Sequence, residues 1–281
     1  LKVSVIGIGG GAFFNPNVDQ RLVYQVVKCG VENGINLVDT AQDYDEKKLK
    51  KALKEFKDLI IISKTTSSNE KDFLLSLRSS LKNLGKKSIP VYLLQTINSL
   101  EDLNYRVNNG VIKAAKKSIR EGLIEFLGFS SHRIDVSIEA IKTGYFDVAE
   151  VPYGVGFFET EKLLKVAKKY GVGIIVMRCF GGGNLIIRNK SHPLASIFNP
   201  KNNLFYTLSN ESVSSVLIGT KSVEHLMECI KVIKKFKPLS RKERKEIEKM
   251  FVKVLGKNFC RGCLACMPCD IYGWKFPIDQ F

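Results

Sequence analysis

No apolar run in the chain approaches the ~18 residues that a membrane-crossing helix needs. The pattern therefore reads as a soluble globular protein with no membrane partner. Also missing is any change of composition along the alternating part of the chain that would separate two large domains. Acidic residues are in deficit: 28 Asp and Glu face 44 Lys and Arg, 34 of them Lys, which leaves a formal net charge of +16. These Lys are spread over many helical faces and are not clustered with aromatic residues. They lack the footprint of a nucleic-acid site and read as solvated surface, although a phosphate-bearing cofactor or an acidic redox partner would also suit the charge. The seven Cys are odd in number and no signal segment accompanies them, so they do not read as a disulfide scaffold. They point to a reducing cytoplasm and one metal site. The first residue is Leu, not Met, as in a chain trimmed or numbered from within a longer one.

What the chain has is a repeated alternation of short apolar runs with helical patterns, within a length that one α/β barrel of roughly 250 residues would use. Strands are predicted at 3–8, 35–39, 59–63, 91–94, 124–129, 148–151, 173–177 and 213–218. Helical spacing is predicted at 18–33, 47–57, 70–84, 109–121, 134–143, 159–170, 222–235 and 240–255. Residues 184–203 read as a loop in which Pro193 and Pro200 fix turns. Eight strands alternating with helices imply parallel neighbours, right-handed crossovers and closure into a (β/α)8 TIM barrel. The division is a barrel over 1–238, then a helix and a short cysteine-rich extension over 239–281. Gly7, Gly9 and Ala12 also fit the G-x-G-x-x-A pattern of a dinucleotide fold, with Asp39 placed as its ribose carboxylate. That pattern wants a helix opening at once, whereas residues 13–17 intervene as a loop, and Asn17 or Asp19 makes a better cap.

In a barrel the carboxyl ends of the strands converge on one rim, which gathers Asp39, Tyr44, Lys64, Gln95, His132, Glu150 and Cys179. Asp, Tyr and Lys on adjacent strand ends make a unit suited to proton transfer to a carbonyl. A phenol with a pKa near ~10 is a poor acid at neutral pH, and an ammonium held beside it by a carboxylate favours its ionised form. A structural salt bridge with a rim tyrosine is the competing reading.

Residues 34–41 (GINLVDTA) with Tyr44, 62–65 (ISKT), 122–130 (GLIEFLGFS) and 216–220 (VLIGT) together resemble the aldo/keto reductase superfamily over nearly the whole chain. The resemblance implies a barrel enzyme that transfers hydride from NADPH to an aldehyde or ketone, with Tyr44 as the acid and Asp39 and Lys64 at two further catalytic positions. The fourth position, usually His, is Gln95, whose amide donates a hydrogen bond but cannot carry a proton. His132 on the neighbouring rim is the candidate to compensate; capping of the following segment is its plainer role. For the cofactor, the resemblance implies Ser130, Ser131 in place of Asn, and Glu150 in place of Gln near the nicotinamide. Gly219, Lys221 and Glu228 match the region that meets the adenosine phosphate and adenine. A Lys at a helix amino terminus suits a phosphate, though a surface Lys is ordinary in this chain.

Cys260, Cys263, Cys266 and Cys269 repeat every third residue. Four thiolates within ten residues suit a compact [4Fe-4S] cluster; zinc, which usually takes two separated C-x-x-C knuckles, and bare thiols are the alternatives. The combination resembles the reductase subgroup with a carboxyl-terminal iron-sulfur motif, except that Asp270 stands where Pro is usual. Cys29, Cys179 and Cys229 read as packed small residues, with a redox or ligand role left open for Cys179 at the rim. Three functions follow: an NADP(H)-dependent oxidoreductase of a small-molecule carbonyl or alcohol with an accessory cluster; an electron-transfer or redox-sensing protein on a reductase scaffold, as Gln95, Ser131 and Glu150 would permit; or a zinc-stabilised binding module.

Overall fold

The computed structural model describes residues 1–15, 17–183 and 185–256, and the backbone of 269–271 and 274–276. Eight strands form the core: β1 (Ile6–Gly9), β2 (Leu37–Asp39), β3 (Ile60–Thr65), β4 (Ile89–Leu94), β5 (Ile124–Ser130), β6 (Val148–Pro152), β7 (Gly173–Met177) and β8 (Val213–Gly219). They pair in chain order, all parallel, and β8 closes on β1 with Gly9 opposite Gly219. The closed barrel is the (β/α)8 architecture expected from the alternation.

Two apolar layers hold it, and strand alternation sorts residues between them. Leu37, Ile62, Val91, Leu93, Ile175 and Leu217 form the cluster that fills the barrel interior. Their sequence neighbours Val38, Ile61, Tyr92, Leu94, Ile174, Val176, Val216 and Ile218 belong to the larger core between the strands and the helices outside.

The helices are α1 (Gln20–Glu32), α2 (Lys50–Glu55), α3 (Glu70–Leu84), α4 (Leu100–Asn108), α5 (Val111–Arg120), α6 (Ile134–Lys142), α7 (Thr160–Tyr170), α8 (Pro200–Leu208), α9 (Val223–Ile233) and α10 (Arg241–Leu255). Three depart from the sequence reading. The single helix predicted at 47–57 is a 3-10 turn over Glu46–Leu49 followed by the six-residue α2. The helix predicted at 109–121 is preceded by α4, which Ser99 caps by accepting from Asp102 N at 3.0 Å, and Gly110 at φ +84° separates α4 from α5. Pro200 does not fix a turn. It opens α8, where a missing N–H costs nothing, and Asn199 caps that helix by accepting from Asn202 N at 2.9 Å.

The charged helix α10 starts with a Ser240/Glu243 capping box and buries Ile247 and Phe251, with the Phe251 ring centroid 4.8 Å from that of Phe198. Arg244 anchors it further: its Nη2 donates to Tyr153 Oη at 2.6 Å and pairs with Glu161, while Tyr206 Oη donates to Glu248 Oε1 at 2.7 Å. Beyond it, β9 (Cys269–Ile271) and β10 (Trp274–Phe276) form an antiparallel pair. Cys260, Cys263 and Cys266 lie outside the described residues, and Cys269 is described only in its backbone. Among the described residues no helix is long and apolar enough to cross a membrane.

Docking of α10 through Phe251, which is fully buried, sets a measurable cost. Phe251→Ala is expected to lower unfolding stability by about 3–5 kcal/mol, read from the midpoint of denaturant unfolding. A loss below about 1 kcal/mol would mean that the helix contributes little to the barrel.

Candidate active site

The same alternation that fills the barrel interior delivers its polar rim. Two residues beyond Leu37, Ile62 and Val148 come Asp39, Lys64 and Glu150, directed to the same side as the apolar residues beneath them. The three meet. Lys64 Nζ donates to Asp39 Oδ1 and, at 3.2 Å, to the carbonyl oxygen of Thr40, and lies 3.3 Å from Glu150 Oε2. All three are almost wholly buried, with exposures of 1% for Lys64, 3% for Asp39 and 4% for Glu150. Gly10 is required at this spot: a Cβ there would overlap the Asp39 carbonyl oxygen, and its amide helps to hold down the Asp39 pKa.

One ammonium thus faces two carboxyl groups in a dry setting. Burial works against the charge on Lys64, but Asp39 and Glu150 outweigh it and its pKa is raised, so it stays protonated. Burial also raises both acids. At Asp39 the charge and hydrogen bond of Lys64 and the Gly10 amide oppose that rise. At Glu150 the charge of Asp39 adds to it against a weaker pull from Lys64, and Glu150 is pushed up to about 8.

Tyr44 closes a 3-10 turn over Gln42–Tyr44 just past β2, with Lys64 Nζ 5.2 Å from its ring centroid. Burial pushes the phenol up to about 12, against Lys64 and with help from Asp39, Glu150 and Asp43. The nearby ammonium therefore favours ionisation, as expected, but does not by itself make Tyr44 an acid at neutral pH.

Gln95 follows β4 and stands beside this group without joining it. Its Nε2 donates to both oxygens of Asp43, at 3.1 and 3.3 Å, because a carboxylate is the strongest acceptor within reach. His132 lines the cleft together with Tyr44, Asp39 and Glu150. Burial and the charge of Arg178 pull it down to about 4, so its imidazole is neutral and offers one donor and one acceptor.

The cleft has a volume of 1040 Å³ and extends from this polar end along Gly219, Thr220, Lys221 and Ser222 to Arg188 and His225. Ser222 caps α9 by accepting from His225 N at 3.2 Å, so the positive end of that helix opens on the cleft beside Lys221. Ser130 and Ser131 do not line it. Ser130 Oγ accepts from Thr96 N at 3.0 Å, and Ser131 Oγ accepts from Arg133 N and donates to Asn98 Oδ1, both at 3.1 Å. Glu228 is taken up in an ion pair with Arg188. Cys179 and Cys229 sit in the cleft wall as buried thiols, both raised by burial, Cys229 to about 12. Sequence reasoning missed Asp43, Arg178 and Arg188. Asp43 and Arg178 directly adjoin rim positions already singled out, which was the available signal; Arg188 lay in a stretch read only as a loop.

A family model described as the aldo/keto reductase family matches residues 5–204. The L-galactose dehydrogenase of Arabidopsis thaliana is 27% identical to the chain, over 85% of this chain and 87% of that protein. An aldo-keto reductase from Bacillus halodurans in its holo form superimposes with a TM-score of 0.76 at 22% identity, covering 89% of this chain and 93% of that one. An aldo-keto reductase from Klebsiella pneumoniae in complex with NADPH gives a TM-score of 0.73 at 17% identity, covering 89% and 91%. At these identities the structural likeness speaks for the fold, and the family match identifies the chain. This oxidoreductase belongs to the aldo/keto reductase family.

Proposed function

We propose that the protein reduces a small-molecule carbonyl with NADPH, or oxidises the corresponding alcohol, and carries a [4Fe-4S] cluster on Cys260, Cys263, Cys266 and Cys269. The observation that carries the reductase reading is Tyr44 over a Lys64 held by Asp39, at the head of a cleft that continues to a helix amino terminus. The residues fit the cofactor. Lys221, Arg188 and the start of α9 suit its phosphates, Gly219 leaves open space in the wall, and Glu150 takes the nicotinamide end. When bound, NADPH supplies the hydride.

The chain supplies the proton and the charge control. As negative charge grows on the substrate oxygen, Tyr44 Oη donates its proton to it, and the Lys64 ammonium offsets the charge left on the phenol. Asp39 keeps that ammonium in place. His132, neutral and on the cleft, orients the carbonyl oxygen, the role that the Gln95 amide gives up by facing Asp43. Ser130 and Ser131 act through the loops they hold, and Glu228 through Arg188.

For the cluster the support is the donor set: four closely spaced thiolates, a soft and compact arrangement. The anchored helix α10 would tie the motif, as a unit from residue 239 on, to the barrel. The net charge of +16 suits an acidic electron-transfer partner, and the unpaired Cys29, Cys179 and Cys229 suit a reducing cytoplasm.

Tyr44→Phe is expected to lower kcat for reduction of an aldehyde panel by about 10²-fold or more while NADPH binding, read by nucleotide fluorescence, persists. His132→Ala should cost more activity than Gln95→Ala, by about tenfold; equal effects would return Gln95 to the site. NADPH binding with no turnover on any carbonyl or alcohol would favour the redox-sensing reading instead. Anaerobically purified protein should be brown, with iron and sulfide near four each per chain; a colourless protein with one zinc per chain would remove the cluster.

A further inference from the structure

The Asp39–Lys64–Glu150 group holds one acid more than the proton transfer described above uses. Lys64 gives its hydrogen bonds to Asp39 and to the Thr40 carbonyl. Glu150 Oε2 is left 3.3 Å from Nζ with no hydrogen-bond partner, although Glu150 is only 4% exposed. An ionised carboxylate in that position is costly twice over: it is desolvated with no donor near it but the Lys64 ammonium at 3.3 Å, and it lies beside a second carboxylate that already holds that shared cation. A proton on Glu150 removes both costs, and Asp39 is close enough to accept the resulting O–H.

We propose that Glu150 is the charge switch of this active site. As a neutral acid it leaves Lys64 balanced by Asp39 and free to stabilise the phenolate of Tyr44; as a carboxylate it sets a further negative charge beside the phenol and holds the proton back. The switch moves one proton between Glu150 and solvent and makes no covalent bond. It rests on the reductase reading above.

Charged groups reach the surroundings of Glu150 from several strand ends. Asp39 comes from β2, Lys64 from β3, and Asp43 and Tyr44 from the turn after β2; His132 after β5 and Arg178 after β7 share the cleft. Its register partners on β5 and β7, Ser130 and Ile175, bring no charge. His132, at about 4, is already neutral across the window in which Glu150, at about 8, titrates. The sign follows: below about 8 Glu150 is neutral and Tyr44 is at its most acidic, and above it the new charge raises Tyr44 and slows reduction.

The test is the pH profile of kcat for carbonyl reduction by the full chain, each variant normalised to its own maximum. The wild type should lose about tenfold per pH unit above a break near 8, toward a lower plateau. Glu150→Gln, an uncharged isostere, should lack that break, and Glu150→Asp should keep one. A Glu150→Gln profile with an unchanged break, or a wild type flat through this range, overturns the switch. If no variant turns over, the reductase reading has failed and the switch is read directly from ultraviolet titration of the Tyr44 phenol, with Tyr44→Phe as the blank. Glu150→Gln must then shift Tyr44 ionisation to lower pH than in the wild type; an unshifted titration overturns the proposal.

Discussion

The site depends on one buried cation. Lys64 lies on the axis side of β3 with 1% of its surface exposed, where an unpaired ammonium would lose its proton. Asp39, on the neighbouring strand, prevents that, because β2 and β3 pair with Asp39 opposite Ile62, only two residues from Lys64. The carboxylate and the ammonium thereby emerge at nearly the same height above the apolar layer of Leu37 and Ile62. Neither charge is tolerable there alone, and removal of either partner leaves a buried unpaired ion, the expensive case for such pairs. Gly10 belongs to the same constraint, since its backbone passes close enough to Asp39 that no side chain fits between them.

This dependence explains why the barrel and the charged unit were legible together. Apolar runs that end in Asp, Lys or Glu at fixed offsets from an inward-facing residue make the same statement as the fold: Leu37 to Asp39, Ile62 to Lys64 and Val148 to Glu150 are one step of strand periodicity each. The side-chain partners past the strand ends were not legible in that way. Whether Gln95 faces the cleft or Asp43 depends on how two loops from different strands meet, and no local pattern encodes that encounter. Pro200 shows the same limit at the level of elements. Its fixed φ suits a turn and a helix start equally, and the decision rests with the Asn199 cap.

The strongest disagreement between local expectation and structure concerns acidity. Proximity of an ammonium to a phenol suggests a lowered pKa, yet burial dominates at Tyr44 and pushes it up to about 12. The structure thus stores little free phenolate at rest. In the reaction proposed for this site, charge stabilisation by Lys64 matters when negative charge develops, in a water-poor setting where it is worth more than in solution.

Backbone strain marks the same rim. Among the described residues, three that are not glycine adopt left-handed conformations: Asp45 at φ +55°, Thr96 at +57° and Arg178 at +57°. Each directly follows a rim position, namely Tyr44, Gln95 and the end of β7 at Met177. Such a residue costs about 1–3 kcal/mol, most for a β-branched one such as Thr, and persists only where its surroundings hold it. At Thr96 the holder is Ser130, whose hydroxyl accepts from Thr96 N at 3.0 Å while its carbonyl accepts from Ile97 N at 2.9 Å. Ser130 thus fixes the turn that carries Gln95, and Gln95 in turn reaches Asp43, next to Tyr44. A hydroxyl that the family resemblance assigns to a cofactor is used here to brace the loop beside Tyr44, and that bracing links the fifth strand to the phenol at the end of the second.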